Sequence, residues 1–372
     1  MLWNWKLPNW PRFNYNSEKI VHQERQFLLE IGSKYAFIKS MGEQEYNQFI
    51  IEILSWEGLE SSKIEGEILD RESLQSSIKR HFGLNVDRKP EINKESAMAT
   101  LLCQVYESFN EPLTHEMLWQ WHAKLFSHSF SIMEYGKYRT HIEPMQIISR
   151  RYDSPKVFFE APPSSRVYNE MTAFINWFNK DNFESILGRA AVAHVYFESI
   201  HPFEDGNGRI GRLLVEKVLS QGVEQPILIA VSKVLEKRKK EYYAMLERCN
   251  RTLNINHWVE FFARAVLQAQ EESMNLLYFL IEKSKMLTTL AGQLNPRQEK
   301  TLLRMFAEGL TGFKGGLSAD NYIAITKTSR ATATRDLADL VQKGALVKVG
   351  ELRHTRYWLN LPIIKNINDK KL

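Results

Sequence analysis

The chain has 372 residues, 44% of them apolar and 25% charged, with a net charge of +5. That balance excludes a disordered or low-complexity chain, and the length predicts two or three domains. No apolar run approaches the roughly 20 residues that a membrane helix needs. The start, Met1-Leu2-Trp3-Asn4-Trp5-Lys6, lacks a basic segment followed by an apolar stretch. The expectation is a cytoplasmic protein with no membrane partner. Its two cysteines, Cys103 and Cys249, stand apart, with no CxxC and no histidines at ligand spacing, and read as small buried hydrophobes. Charge is uneven: residues 290–372 carry 14 Lys and Arg against 7 Asp and Glu, whereas the rest is slightly acidic. The basic surplus makes an anionic partner for the C-terminal fifth worth considering.

Residues 1–17, rich in Trp, Pro and Asn, are too turn-prone for a helix and too aromatic for a flexible tail. They read as an irregular cover. From Glu18 onward apolar residues recur at three- and four-residue spacing, as in Phe27, Leu28, Ile31 and later Leu101, Leu102, Val105. This is a helical pattern. It breaks at Gln146–Ala161, where two short apolar runs flank Asp153-Ser154-Pro155 and end at Pro162-Pro163, the signature of a β-hairpin. Helical spacing resumes at Val167 and runs with short breaks to about Leu290. Beyond Pro296 the sequence predicts helices over 298–308, 319–325 and 330–343, with Gly344 ending the last. Strand-like runs at 346–349 and 356–359 follow. Helix, turn, helix, hairpin is a winged helix-turn-helix pattern.

The segment richest in chemistry is His201-Pro202-Phe203-Glu204-Asp205-Gly206-Asn207-Gly208-Arg209-Ile210-Gly211-Arg212. Two glycines flanking an asparagine just before a helix expose backbone N–H groups at a positive helix end, a cradle for phosphate. Arg209 and Arg212 lie three apart and share a helical face, so both can fork onto phosphate oxygens. Asp205 adds a hard carboxylate suited to Mg²⁺ held jointly with phosphates. His201 is a candidate base. Other histidines carry less: His194 reads as packed, His115, His122 and His128 as core or surface residues, and Lys237–Lys240 as a solvated helix face.

This string resembles the Fic family signature, H-x-F-x-D/E-G-N-G-R-x-x-R, at every specified position. Gly136-Lys137-Tyr138-Arg139, the hairpin before Pro162-Pro163 and the helix 191–200 also resemble Fic core elements. The resemblance implies transfer of AMP from ATP to a Ser, Thr or Tyr hydroxyl of a target protein or of the chain itself. It makes His201 the base and Asp205 the Mg²⁺ ligand. Gly206, Asn207 and Gly208 would then cradle the α- and β-phosphates beside Arg209, with Arg212 on the γ-phosphate and Phe203 a core anchor. Glycine at 208, where the phosphorylating branch has lysine, favours adenylylation. The hairpin would be a flap holding a target segment by β-augmentation. Tyr242, Tyr243 and Leu246, with Cys249-Asn250, look like the family's nucleoside pocket, and Tyr243 and Asn250 are its candidate contacts.

Upstream, Ser61-Ser62-Lys63-Ile64-Glu65-Gly66 resembles the inhibitory motif S/T-x-x-x-E-G/N of one class of Fic proteins. A carboxylate offered to Arg212 would occupy the γ-phosphate's place, so Glu65 is the candidate brake. Relatives with such a brake are commonly dimers, and in some the same glutamate supports removal of AMP. The expected fold is mainly α: an N-terminal helical region (1–95), a Fic-type helical core with a β-hairpin flap (96–290) and a C-terminal winged-helix domain (291–372). In that last domain Arg330, Thr332 and Arg335, with Arg353, His354 and Arg356 in the wing, are candidate DNA contacts. The competing expectation is a nucleotide-responsive DNA-binding transcriptional regulator, and a winged helix can also dock protein.

Overall fold

A computed structural model describes residues 2–39, 41–86, 93–127, 135–148, 156–180 and 184–364. The fold is mainly α, with two separate two-stranded sheets among the described residues. Packing divides the chain into two units, Met1–Ser40 with Ile50–Glu271, and Met41–Phe49 with Glu272–Leu372. The division falls inside helices α2 (Glu43–Ile64) and α11 (Asn256–Thr289). Of the expected hairpin turn, Asp153, Ser154 and Pro155 lie outside the described residues, as does His128. No helix among the described residues is long and apolar enough to cross a membrane.

The first unit holds α1 (Val21–Lys39), most of α2, then α3 (Arg71–His81), α4 (Lys94–Glu107) and α5 (His115–Leu125). Strands β1 (Gln146–Ile148) and β2 (Val157–Glu160) pair antiparallel, Ile147 opposite Phe159, with an irregularity after Ile147. Then come α6 (Ser164–Phe178), α7 (Ile186–Ile200), α8 (Asn207–Gly222), α9 (Val231–Lys237), α10 (Lys239–Cys249) and the first half of α11.

The core is the antiparallel pair α7 and α8. Almost every residue of α7 from Leu187 to Ile200 is buried, so this helix is apolar all round and belongs in the middle of the unit. Its start is capped by Ser185, whose hydroxyl accepts from Gly188 N at 2.9 Å. Glu24 of α1 accepts from Ile186 N at 2.7 Å and Leu187 N at 3.1 Å, so the exposed donors of the first turn are satisfied by a carboxylate at the positive helix end.

The aromatic N-terminal segment is ordered against this core. Trp3 and Trp5 pack with Phe159 and Ala161 beside Trp10, and Trp5 Nε1 donates to the carbonyl of Glu160 on β2 at 2.6 Å. Asn4 is fully buried and donates to Ser199 Oγ at 2.8 Å and the Cys249 carbonyl at 3.1 Å. The cover thus ties strand β2 and the ends of α7 and α10 together.

The second unit continues with α12 (Pro296–Ala307), α13 (Ala319–Thr326), α14 (Arg330–Gln342), β3 (Leu346–Val349) and β4 (Arg356–Leu359). Each helix starts at a side-chain cap, Asn295, Ser318 and Ser329, and Pro296 takes the first helical position of α12. Leu337 and Leu340 of α14 are buried with Leu302, Tyr322 and Leu346. One polar hub sits among them: Asp336 accepts from Arg297 Nε at 2.8 Å, Tyr322 Oη at 2.9 Å and Asn295 Nδ2 at 3.2 Å.

Candidate active site

Helix α7 ends on His201, which takes a left-handed conformation (φ 51°, ψ 61°) that a non-glycine residue pays on the order of 1 kcal/mol to adopt. Arg139 holds it there. This fully buried arginine donates from Nε to the His201 carbonyl at 2.8 Å and from Nη1 to Ser164 Oγ at 3.0 Å. It also reaches the carbonyl of Pro162, while its backbone N–H bonds the Pro202 carbonyl at 2.9 Å. The turn leaving α7 and the end of the hairpin segment are therefore fixed by one guanidinium. Burial lowers that guanidinium to about 10.

The loop after His201 is set by side chains turned inward. Asn207 Nδ2 donates to the Phe203 carbonyl at 2.8 Å and its Oδ1 accepts from Phe203 N at 2.9 Å. The asparagine side chain is thus a brace that closes the loop on itself, and it is the backbone that a phosphate would meet there. Phe203 is buried, its ring flat on His122 with centroids 4.2 Å apart. His122 in turn accepts from Gly136 N at 2.9 Å and faces the Asp205 carbonyl at 3.1 Å, and burial lowers its ring to about 4. Gly206 caps α8 with φ 81°, and a β-carbon there would meet the Phe126 ring at 2.7 Å, so only glycine fits.

These elements open on a cavity of about 670 Å³, a size suited to a nucleotide. His201, Asp205, Gly206, Asn207 and Gly208 line one end, and Tyr242, Tyr243, Leu246 and Asn250 of the α10 region line another. Ile147, Ile148 and Phe158 of the hairpin contribute a wall. Cys249 is buried and outside the lining. Tyr242 is buried with its hydroxyl 2.7 Å from His194 Nε2, whereas Tyr243 is 42% exposed.

Burial, reinforced by the Arg139 charge, lowers His201 to about 4, so the ring is neutral at pH 7. Asp205 keeps a largely exposed side chain, with Arg209 Nη2 at 3.7 Å and its Oδ1 accepting from Gly206 N at 2.6 Å. No cluster of three or more His, Cys, Asp or Glu able to hold a metal ion occurs among the described residues. An accessible carboxylate such as Asp205 in the lining fits Mg²⁺ that takes its other ligands from substrate phosphates and water.

The two arginines of the segment share a face of α8, and each meets a carboxylate from the end of α2. Arg212 is buried: Nη2 donates to Glu65 Oε1 at 2.8 Å and to the Ser61 carbonyl at 2.9 Å, and Nε to Ser61 Oγ at 2.9 Å. Burial opposes ionisation of Glu65, but the Arg212 charge and hydrogen bond outweigh it and hold the carboxyl below its usual range. Arg209 Nη1 donates to Glu67 Oε2 at 2.7 Å, a contact with no signal in the motif. Helix α2 ends at Ile64, and Gly66 just beyond it, with a φ of 89°, makes the left-handed turn that lets the chain leave. The carbonyl of Ile64 accepts from Lys239 Nζ and from Tyr243 Oη, the latter at 3.2 Å. Lys239 therefore departs from the expected solvated run at 237–240: it latches α2 in place, because unpaired carbonyls at a helix end attract a cation.

Glu198 is a further cavity residue without a sequence signal. It lies one turn before His201 with Oε2 at 3.7 Å from Nδ1, and burial raises its carboxyl to about 8.

Residues 112–219 match the Fic/DOC family, and residues 3–84 match a domain of unknown function (DUF4172). Over 137 residues the chain is 25% identical to a probable protein adenylyltransferase of Aquifex aeolicus, covering 32% of this chain and 43% of that protein. Over 129 residues it is 31% identical to the protein adenylyltransferase Fic of Nematostella vectensis, covering 33% of this chain and 28% of that protein. The chain thus aligns with less than half the length of these curated relatives. The crystal structure of a Fic family protein from Desulfovibrio desulfuricans superposes over 94% of this chain and 98% of that one, with a TM-score of 0.53 and 22% identity, a likeness of fold. The signature loop, residues 201–212, thus lies in a Fic/DOC family domain.

Proposed function

We propose that the protein is a protein adenylyltransferase that moves AMP from ATP to a hydroxyl of a target protein or of itself, and that Glu65 restrains it. The observation that carries this reading is a single cavity lined by a neutral histidine, a glycine-flanked helix start and a tyrosine-bearing wall. The names of the relatives, protein adenylyltransferases, point the same way.

In this reading His201 accepts the proton of the target hydroxyl as that oxygen attacks the α-phosphorus. The α–β phosphoanhydride bond breaks, pyrophosphate leaves and the proton remains on the ring. Backbone N–H groups at Gly206–Gly208 hold the phosphates, Arg209 and Arg212 take charge from the β- and γ-phosphates, and Tyr243 and Asn250 flank the nucleoside. Mg²⁺ at Asp205 would neutralise phosphate charge. The hairpin would hold a target segment beside His201 by edge pairing. Positioning and charge stabilisation supply most of the catalysis in such a site.

The test uses ATP labelled separately at the α- and γ-phosphates, with Mg²⁺ and cell lysate as a source of targets. Label from the α-position on protein without γ-label supports the reading. Label from the γ-position would mean phosphorylation, and no label from either would remove it.

A second reading concerns the C-terminal unit. Arg330 and Arg335 on α14, and Arg353 and His354 beyond β3, are exposed, and the Arg330–Asp320 pair is long at 3.3 Å between two exposed side chains. Such a face suits DNA phosphates. Binding should then weaken by about 0.9 log units per log unit of salt for each phosphate neutralised. A flat salt response would assign the face to protein docking.

A further inference from the structure

Three polar residues follow one another at three- and four-residue spacing along α7 and its cap, His194, Glu198 and His201, the last two lining the cavity. The His194 ring lies nearly parallel to Trp258 and its Nε2 meets Tyr242 Oη at 2.7 Å. Its Nδ1, Glu198 Oε1 and His201 Nδ1 are buried atoms without a hydrogen bond of normal geometry among the described residues, the two rings facing the backbone of Gly211 and of Glu198 respectively. Glu198 Oε2 is 3.7 Å from His201 Nδ1, and a β-carbon on Gly211 of α8 would lie 2.9 Å from Oε1 and 3.1 Å from His194 Nδ1. The glycine is what leaves room for the carboxyl and the His194 ring at this point of α8.

We propose that Glu198 is a positioning residue for His201, accepting the hydrogen bond of Nδ1–H so that Nε2 keeps the lone pair that takes the target's proton. The inference rests on the reading of His201 as the base. A neutral imidazole carries one N–H, and the partner of one nitrogen decides which nitrogen that is. With the proton on Nδ1, the opposite nitrogen is free to act. When Nε2 then takes the hydroxyl proton, the ring becomes a cation, and an ionised Glu198 at the same distance steadies it while the proton stays on the ring.

The surrounding charges set when this happens. Glu198 faces Glu65 from α2 and Arg212 from α8; burial raises it most, Glu65 adds to the rise and Arg212 opposes it. His201 faces Arg139, Glu65, Asp205 and the backbone carbonyl of Glu198. Tyr242 and His194 close the far side.

The test is run on the full chain. Nitrogen-15 spectra of the His201 ring in wild type, Glu198→Gln and Glu198→Ala read the tautomer directly, whether or not the protein is active. AMP transfer from α-labelled ATP, measured from pH 5 to 9.5 in the Glu65→Gly background, reads the chemistry. The amide of Glu198→Gln keeps an acceptor, so it should hold the Nδ1–H form, while Glu198→Ala should shift the ring toward Nε2–H. Transfer should rise with pH as Glu198 ionises, at or below pH 8 once the Glu65 charge is gone. Glu198→Gln should lose that rise, and Glu198→Ala should fall roughly ten- to a hundredfold in kcat, the scale for losing a residue that orients a histidine, with the KM for ATP within about twofold.

Glu198→Ala that keeps the Nδ1–H form would overturn the proposal, because the backbone carbonyl would then suffice. Glu198→Gln with an unchanged rate and pH profile would overturn it equally. A tautomer shift in Glu198→Ala with no AMP transfer by Glu65→Gly at any pH would uphold the positioning and defeat the adenylyltransferase reading.

Discussion

Glu65 and Arg212, 147 residues apart in sequence, meet at 2.8 Å inside the fold, and the guanidinium is only 2% exposed where the carboxylate is 28% exposed. Arg212 is anchored and Glu65 is the partner able to leave. Under the proposed function an anionic phosphate seeking the same guanidinium would have to displace that carboxylate, so substrate and Glu65 would compete for one group.

Ser61 strengthens the contact by accepting from Arg212 Nε at 2.9 Å. Ser61→Ala leaves that donor unpaired and should weaken the closed arrangement by about 1 kcal/mol. Basal self-labelling from α-labelled ATP should rise about fivefold, well short of removing Glu65. An unchanged rate would show that the serine hydroxyl does not contribute to restraint.

Arg139 is the brace of the whole site. Arg139→Ala would strand the carbonyls of His201 and Pro162 and release the left-handed turn at His201. We expect a loss of about 3 kcal/mol in unfolding free energy, seen in denaturant titration, together with loss of AMP transfer. Arg139→Lys should recover little, because one ammonium cannot reproduce the fork.

The pH response of the base has a definite sign. Burial and Arg139 hold His201 near 4, and the neutral ring is the competent form. In the Glu65→Gly, Glu198→Gln double variant, which lacks the rise due to Glu198, kcat/KM should therefore stay level on acidification through pH 6.5 and fall only as the pH nears 4, since removing the Glu65 charge can only lower the ring further. The same shift costs stability in acid: below about 6.5 the unfolded chain takes up a proton that the folded ring refuses until about 4. An acid limb at pH 6.5 would place His201 in solvent.

The signature was legible because it is contiguous: a loop, a helix start and two arginines one turn apart report their own geometry. The helices announced themselves by apolar spacing, and the strands at 346–349 and 356–359 by the runs flanking Gly350. What stayed hidden is held by distant partners. Arg139 acts on carbonyls more than twenty and sixty residues away, and nothing beside it in sequence says so. Lys239 was one basic residue among four until α2 placed a carbonyl against it. Asn207 is subtler, for its neighbours suggest a phosphate contact while its side chain is already committed to Phe203. Glu198 gave no sign either, for its nearness to His201 shows only once the helix end is built.

In the second unit the buried Asp336 organises Arg297, Asn295 and Tyr322. Asp336→Ala should cost that unit about 1 to 3 kcal/mol, because the buried Tyr322 hydroxyl loses its acceptor. Thermal unfolding followed by Trp358 fluorescence in a protein with the other tryptophans replaced by phenylalanine would read it. No shift would mean that water replaces the carboxylate.

The most direct measurement compares wild type, Glu65→Gly and Glu65→Gly with His201→Ala for transfer of α-labelled AMP to protein. If the closed state is favoured by about 2.7 kcal/mol, Glu65→Gly should label roughly 100-fold faster than wild type, and the double variant not at all. Equal rates in wild type and Glu65→Gly, or labelling that survives loss of His201, would contradict a restrained adenylyltransferase.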